Sequence, residues 1–263
     1  MIRREASGIP FYSFKAFDEH SEIVHAVFTR LGGVSHSPYR ALNVGSSVGD
    51  APKAVEENCR LVCQAMSVSD TQVVTAWQVH GNSIGVVDAR AWGRVVQETD
   101  ALITNGLEVN LILRFADCLP IFLYDPQRRV IGLGHAGWRG TAAKLASQMV
   151  SAMIDSFGCD PSSVLAGLGP AIGPCCYEVG REVAQAIQPT LQNLQSAIQP
   201  CGDGHFSLDL WEANRQQLRD RGIKQIEVGR VCTACHADEF FSHRADKGNT
   251  GRFAALMGIR NSS

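Results

Sequence analysis

The sequence predicts a single α/β domain over residues 1–263, and three observations carry that prediction. Apolar runs of strand length at residues 22–30, 73–81, 111–115, 119–124, 130–133, 164–168 and 226–231 are interspersed with stretches of helical periodicity at 52–66, 142–157, 180–194 and 208–221. No Ser/Gly/Pro-rich linker, charge run, low-complexity tract or internal repeat divides the chain. At 28.5 kDa with 45% hydrophobic residues, it can bury one sizeable core.

The first strand ends at Arg30, and the glycine-rich turn 31–35 that follows would serve either as a plain loop or as a set of N–H donors for an anion. Small residues continue through Asn43 and Gly45 to the helix at 52–66, which has Pro52 at its first turn. Cys59 and Cys63 share one face of that helix, where core packing explains them. Residues 73–81 form a strand running into His80 and Gly81, with 82–88 as its pairing partner. Asp100, preceded by Thr99, is either a loop hydrogen-bonding residue or a substrate contact.

The stretch RFADCLPIFLYDPQRRVIGLGHAGWRGT, residues 114–141, organises the rest. Asp125-Pro126-Gln127 is a turn signal between two apolar runs, so a hairpin brings Cys118 and His135 to one end of a sheet. Good helix formers from 142 to 157 predict a helix whose N-terminal N–H groups and dipole face the same place, with Arg139 adding a full charge. His80 completes a possible ligand set. Two imidazoles and a thiolate suit Zn²⁺ with an open fourth position, though from spacing alone a Cys at a strand start is more often a core thiol and an isolated His more often a hydrogen-bonded structural residue.

Further along, glycines 167, 169 and 173 resemble a dinucleotide fingerprint but fail it, because the spacing is wrong and Pro170 removes an N–H. Asp209 and Gly222 bracket the helix at 208–221. Cys232-Thr233-Ala234-Cys235-His236 matches a haem-attachment pattern that is rejected here, since such attachment goes with export and no export signal is evident. Arg244 lies in a polar loop as a second anion contact, and 250–257 closes the chain as a helix or strand.

With Lys+Arg 24 against Asp+Glu 26, the net charge of -2 provides no basic excess for nucleic acid or an anionic membrane. A small polar ligand fits better. The N-terminal residues lack an apolar signal region and no segment is long and uncharged enough to span a bilayer, so the expected location is cytoplasmic. Nine Cys, an odd number, favours thiols or metal ligands over a disulfide framework. No periodicity speaks to the oligomeric state.

Thr29-Arg30 with Gly32-Gly33-Val34-Ser35, Asn43-Val44-Gly45, Gln78-Val79-His80-Gly81, Thr99-Asp100-Ala101, Ala116-Asp117-Cys118-Leu119-Pro120, His135 through Thr141, Gly173 through Glu178, and Phe241-Ser242-His243-Arg244 together resemble the laccase-domain family. Its members have been described both as polyphenol oxidoreductases and as zinc-dependent purine nucleoside phosphorylases with adenosine deaminase activity. The resemblance implies a three-layer α/β/α fold with mixed sheets, and a metal held by His80, Cys118 and His135. It points to Arg30, Asn43, Gln78, Asp117, Arg139 and Arg244 as substrate contacts. Copper ranks below zinc, because multi-copper oxidation needs further copper sites and no second His-rich cluster is evident.

The expected function is therefore zinc-dependent phosphorolysis of adenosine, inosine and methylthioadenosine, with purine nucleoside and phosphate as small-molecule partners, together with adenosine deamination. The alternative is a cysteine hydrolase or amidase using Cys118 and His135, with cell-wall precursors as one substrate class. A polyphenol oxidase and a thiol-based sensor rank lower.

Overall fold

In the computed structural model, which describes residues 1–261, the expected hairpin is formed by strands Leu119–Asp125 and Val130–Ala136, paired antiparallel with His135 opposite Pro120. Every residue of both strands is buried. That burial explains the continuous apolar runs, since a strand covered on both faces has no polar side to alternate with.

This hairpin is the centre of a six-stranded sheet in the order Gln225–Val228, Leu165–Leu168, Leu119–Asp125, Val130–Ala136, Ala101–Thr104, Ile84–Val86. The sheet is mixed, with parallel pairs at its two edges and antiparallel pairs between. A seven-stranded sheet runs Ile2–Ala6, Ile9–Ser13, Ile23–Phe28, Phe253–Ile259, Asn110–Phe115, Val73–Ala76, Val95–Val96, and is parallel only at the last three strands. A small third sheet joins Glu178–Val179, His205–Leu208 and Ile198–Gly202.

The two large sheets face each other across a shared core. Leu111, Leu113, Phe115 and Met257 of one pack with Leu102, Phe122, Ile131 and Leu133 of the other. Helix Pro52–Ala65 covers the outer face of the first sheet through Val62 and Cys63. Helices Leu145–Phe157 and Leu210–Asp220 cover the second through Met149, Met153 and Leu218. The expected α/β class with mixed sheets in a single domain holds, with helices outside a β layer that is itself a pair of sheets. Each fully buried Leu, Ile or Phe contributes about 1.5–3 kcal/mol, so the two-sided burial of the central strands anchors the position of everything at their ends.

Several boundaries differ from expectation for identifiable reasons. Residues 84–86 do not pair with the strand before His80, because Val73–Ala76 already has neighbours on both edges; they pair with Ala101–Thr104 in the other sheet. Segment 77–83 therefore crosses between the sheets, carrying His80. The helix expected at 142–157 is two helices, Trp138–Ala142 and Leu145–Phe157, separated at Lys144 by a left-handed φ of 59°. The one expected at 180–194 ends at Ile187, where Pro189 follows within a 3-10 turn. Asp209 does cap its helix, accepting from the Glu212 N–H at 2.9 Å. The closing segment is the strand Phe253–Ile259 inside the seven-stranded sheet. Among the described residues no helix is long and apolar enough to cross a membrane.

Candidate active site

Cys118 stands immediately before the first hairpin strand and His135 near the end of the second, so antiparallel pairing alone brings them together. His80 arrives from the crossing segment. The ligand atoms of His80, Cys118 and His135 all lie within 4.8 Å of one another, and the two imidazole rings meet edge to face with centroids 4.9 Å apart. His135 is buried, Cys118 half-buried and His80 exposed, so the trio opens to one side.

Two of the residues shaping this site hold left-handed backbone conformations that non-glycine residues avoid: His80 at φ 62° and Asp117 at φ 83°. Each is held by hydrogen bonds. The Asp100 carboxylate accepts from the backbone N–H groups of Val79, His80 and Gly81 at 3.2, 2.9 and 2.7 Å, which fixes the loop carrying His80. The Asp117 carboxylate accepts from the Thr233 hydroxyl at 2.6 Å and the Arg244 N–H at 2.7 Å, turning the chain into Cys118.

Asp100 also lies 2.9 Å from His135 Nδ1, which places a proton on Nδ1 and leaves Nε2 as the nitrogen for Cys118 or a metal. Burial by itself would push the Cys118 thiol up, but the His135 charge and hydrogen bonding from both imidazoles outweigh it and bring the thiol down to about 6. Burial likewise opposes charge on His135, yet Cys118 and Asp100 raise it to about 9. Burial works against the Asp100 carboxylate too, and the bonds from His135 and the loop N–H groups still hold it below its ordinary value.

The site accommodates an ion. A Cβ on Gly137 would sit 2.9 Å from the Cys118 sulfur and 3.5 Å from His80 Cδ2, so glycine here leaves space beside both side chains. Gly140 packs its helix against the His80 loop, where a Cβ would come within 3.1 Å of the Gly81 carbonyl. Two imidazole nitrogens and one thiolate match the donor set of an open, four-coordinate Zn²⁺ site.

The trio opens into a cavity of about 590 Å³, a size suited to a small-molecule ligand. Trp77, Trp138 and Tyr177 supply aromatic lining, and Arg114, Arg139, Arg244 and Arg252 supply charge. The guanidinium groups of three of these arginines bond only neutral partners: Arg114 donates to Val44 O and Thr75 Oγ1, Arg252 to Thr250 O and Gly251 O, and Arg244 to Cys176 O and Glu178 O. Arg139 stacks over Trp138 at 4.5 Å. None is paired with a carboxylate among the described residues, and Asp117, the one carboxylate of the lining, is spent on Thr233 and the Arg244 backbone. Burial lowers the pKa of both Arg114 and Arg252, the cost of holding charge away from water.

Of the substrate contacts expected from sequence, Gln78, Asp117, Arg139 and Arg244 line the cavity. Gln78 bonds both backbone groups of Arg114, at 2.9 and 3.0 Å, and so ties the crossing segment to the strand end. Asn43 is buried behind the lining, accepting from the Gly45 and Arg252 N–H groups, both of residues that face the cavity. Arg30 is not brought there: its guanidinium donates to Arg40 O and Ala237 O and lies over Phe241. The helix opening expected near residue 142 falls instead at Trp138, directly after Gly137.

Arg114, Arg252 and Tyr177 were missed, while Asp100 is the loop hydrogen-bonding residue that was one of its two expected roles, with the bond to His135 added. Arg114 did carry a signal, as a lone charge within an apolar strand, where a charge is rarely placed without purpose. A second cluster, Cys175, Cys176, Cys232 and Cys235, also has its ligand atoms within 4.8 Å of one another.

The fold and this site define a class: the chain belongs to the family described as multi-copper polyphenol oxidoreductase laccase, which matches residues 24–260. Among named relatives, Purine nucleoside phosphorylase YlmD of Bacillus subtilis (strain 168) is 34% identical over 250 residues, covering 92% of this chain and 90% of that one. Purine nucleoside phosphorylase YlmD of Geobacillus stearothermophilus is 39% identical over 248 residues, covering 90% of each. The crystal structure of YlmD from Geobacillus stearothermophilus matches with a TM-score of 0.93 at 37% identity over 98% of both chains.

Proposed function

We propose that this chain is a zinc-dependent purine nucleoside phosphorylase acting on adenosine, inosine and methylthioadenosine, with adenosine deamination as a second activity. The observation that carries the proposal is the sharing of one cavity by the His80, Cys118 and His135 trio and four arginines without carboxylate partners. Uncompensated guanidinium charge in a recess favours an anion such as phosphate. The names of the relatives point to the same chemistry.

In phosphorolysis a phosphate oxygen forms a bond to the anomeric carbon as the bond from that carbon to the purine nitrogen breaks, and the base leaves with the electron pair and gains a proton. Arg139 and Arg244, with Arg114 and Arg252, hold the phosphate and spread its charge, while Trp77, Trp138 and Tyr177 offer faces for the base. Bound by His80, Cys118 and His135, Zn²⁺ would supply Lewis-acid activation of water for replacing the amino group of adenosine. Asp100 keeps His135 oriented through its Nδ1 proton. The free thiols fit a reducing cytoplasm, where we place the activity.

The test is metal analysis of the purified protein, then incubation with adenosine with and without phosphate and identification of products. Adenine formed only with phosphate, inosine formed without it, and zinc lost in Cys118→Ala are expected. Full zinc occupancy in Cys118→Ala would overturn the ligand assignment.

One observation favours a second reading. Cys118, His135 and Asp100 are aligned as nucleophile, base and orienting carboxylate, with the thiol biased to thiolate, the arrangement a cysteine hydrolase or amidase uses. Zinc-free protein that cleaves an amide and is inactivated by alkylation at Cys118 would decide for it.

A further inference from the structure

We infer that Cys175, Cys176, Cys232 and Cys235 form a second metal site, a structural tetrathiolate centre for a soft divalent cation, Zn²⁺ by its chemistry, separate from the cavity trio.

Topology assembles it. Strands Leu165–Leu168 and Gln225–Val228 are adjacent and parallel, so the loops after them leave the sheet at the same end. Pairing continues past the strands: the Ala171 N–H donates to Val231 O, the Thr233 N–H donates to Ala171 O, and Ala171 and Cys232 form a parallel bridge. This brings a Cys-Cys pair and a C-x-x-C pair, distant in sequence, onto one point.

The spacing fits an ion. A zinc with sulfur ligands at about 2.3 Å in a tetrahedron separates the sulfurs by about 3.8 Å. Here the Cys235 sulfur lies 3.5 Å from that of Cys175 and 3.4 Å from that of Cys176, and all four fall within 4.8 Å of one another. The Gly173 N–H donates to the Cys232 sulfur at 3.2 Å, the kind of outer bond that orients a thiolate ligand. Four soft donors and no imidazole select a closed, structural site over an open, catalytic one.

The site lies behind one wall of the cavity. Tyr177, which follows Cys176, lines the cavity, and Thr233, which follows Cys232, holds the Asp117 carboxylate. An ion joining the two loops therefore fixes residues that face substrate without touching it.

Metal-free protein, kept reduced, is titrated with Zn²⁺ against a chromophoric chelator. Wild type is expected to bind two equivalents; Cys175→Ser/Cys235→Ser and Cys118→Ala are each expected to bind one. Co²⁺ in Cys118→Ala should give the intense thiolate charge-transfer bands of a four-sulfur site. If the double variant fails to fold, the single Cys235→Ser variant, at an exposed position, and the Co²⁺ spectrum decide. One equivalent in wild type that Cys118→Ala abolishes and Cys235→Ser leaves unchanged would overturn this site while keeping the cavity trio. One equivalent that survives Cys118→Ala would instead defeat the trio.

Discussion

Asp100 and His135 are bonded twice: the Asp100 carboxylate lies 2.9 Å from His135 Nδ1, and the His135 N–H donates to the Asp100 carbonyl at 2.8 Å. The same carboxylate accepts three N–H groups from the loop of His80. One buried side chain thus sets the positions of two of the three residues of the trio.

Asp100→Asn should weaken zinc binding by roughly 10–100-fold, the usual effect of losing an outer-shell partner. The amide has one acceptor oxygen for four donors, so stability should fall by about 2–3 kcal/mol as well. Competition against a chelator and urea denaturation measure the two effects. Unchanged zinc affinity in a folded variant would show that Asp100 does not position the ligands.

Gly137→Ala places a methyl group 2.9 Å from the Cys118 sulfur. The glycine has an ordinary extended backbone, φ -81° and ψ -174°, so the substitution tests space and not conformation. We expect loss of tight metal binding with a destabilisation of about 1–3 kcal/mol. Normal zinc uptake would mean the space beside the two side chains is not needed.

Arg139→Ala removes a cavity charge that stacks on Trp138 and has no carboxylate partner. Phosphorolysis should fall while deamination persists, shifting products from adenine towards inosine. Product ratios by chromatography, with zinc content as the control, read the result. Equal loss of both activities at normal zinc content would remove Arg139 from the phosphate site.

The thiolate of Cys118 should be detectable by pH in metal-free protein. Alkylation at Cys118 should rise with a midpoint near 6, far below the ordinary thiol value of 9.0. The signs follow. A depressed thiol stabilises the fold above its unfolded value and loses that contribution as pH falls through about 6. His135, raised from 6.5 to about 9, contributes fully below 6.5 and loses its contribution as pH rises through about 9. Between about pH 6.5 and pH 9 the two contributions change in opposite directions and nearly cancel, so the pair leaves the stability of metal-free protein almost independent of pH there. An alkylation midpoint near 9 would show that the imidazoles do not hold the thiolate.

The sequence by itself determined the hairpin, the joining of Cys118 and His135, and the family, because these rest on neighbours: a turn between two apolar runs, side-chain period along strands, and short motifs in order. Asp209 at its helix start was legible for the same reason. Only the tertiary structure decided that segment 77–83 crosses between sheets, that Arg114 and Arg252 enter the cavity while Arg30 does not, that Asp100 holds both histidines, and that four cysteines meet behind Tyr177. Each depends on which strands become neighbours across tens to more than a hundred residues of chain. That choice is made by the burial of whole sheet faces against one another, a property of the assembled layers that no local run of residues encodes.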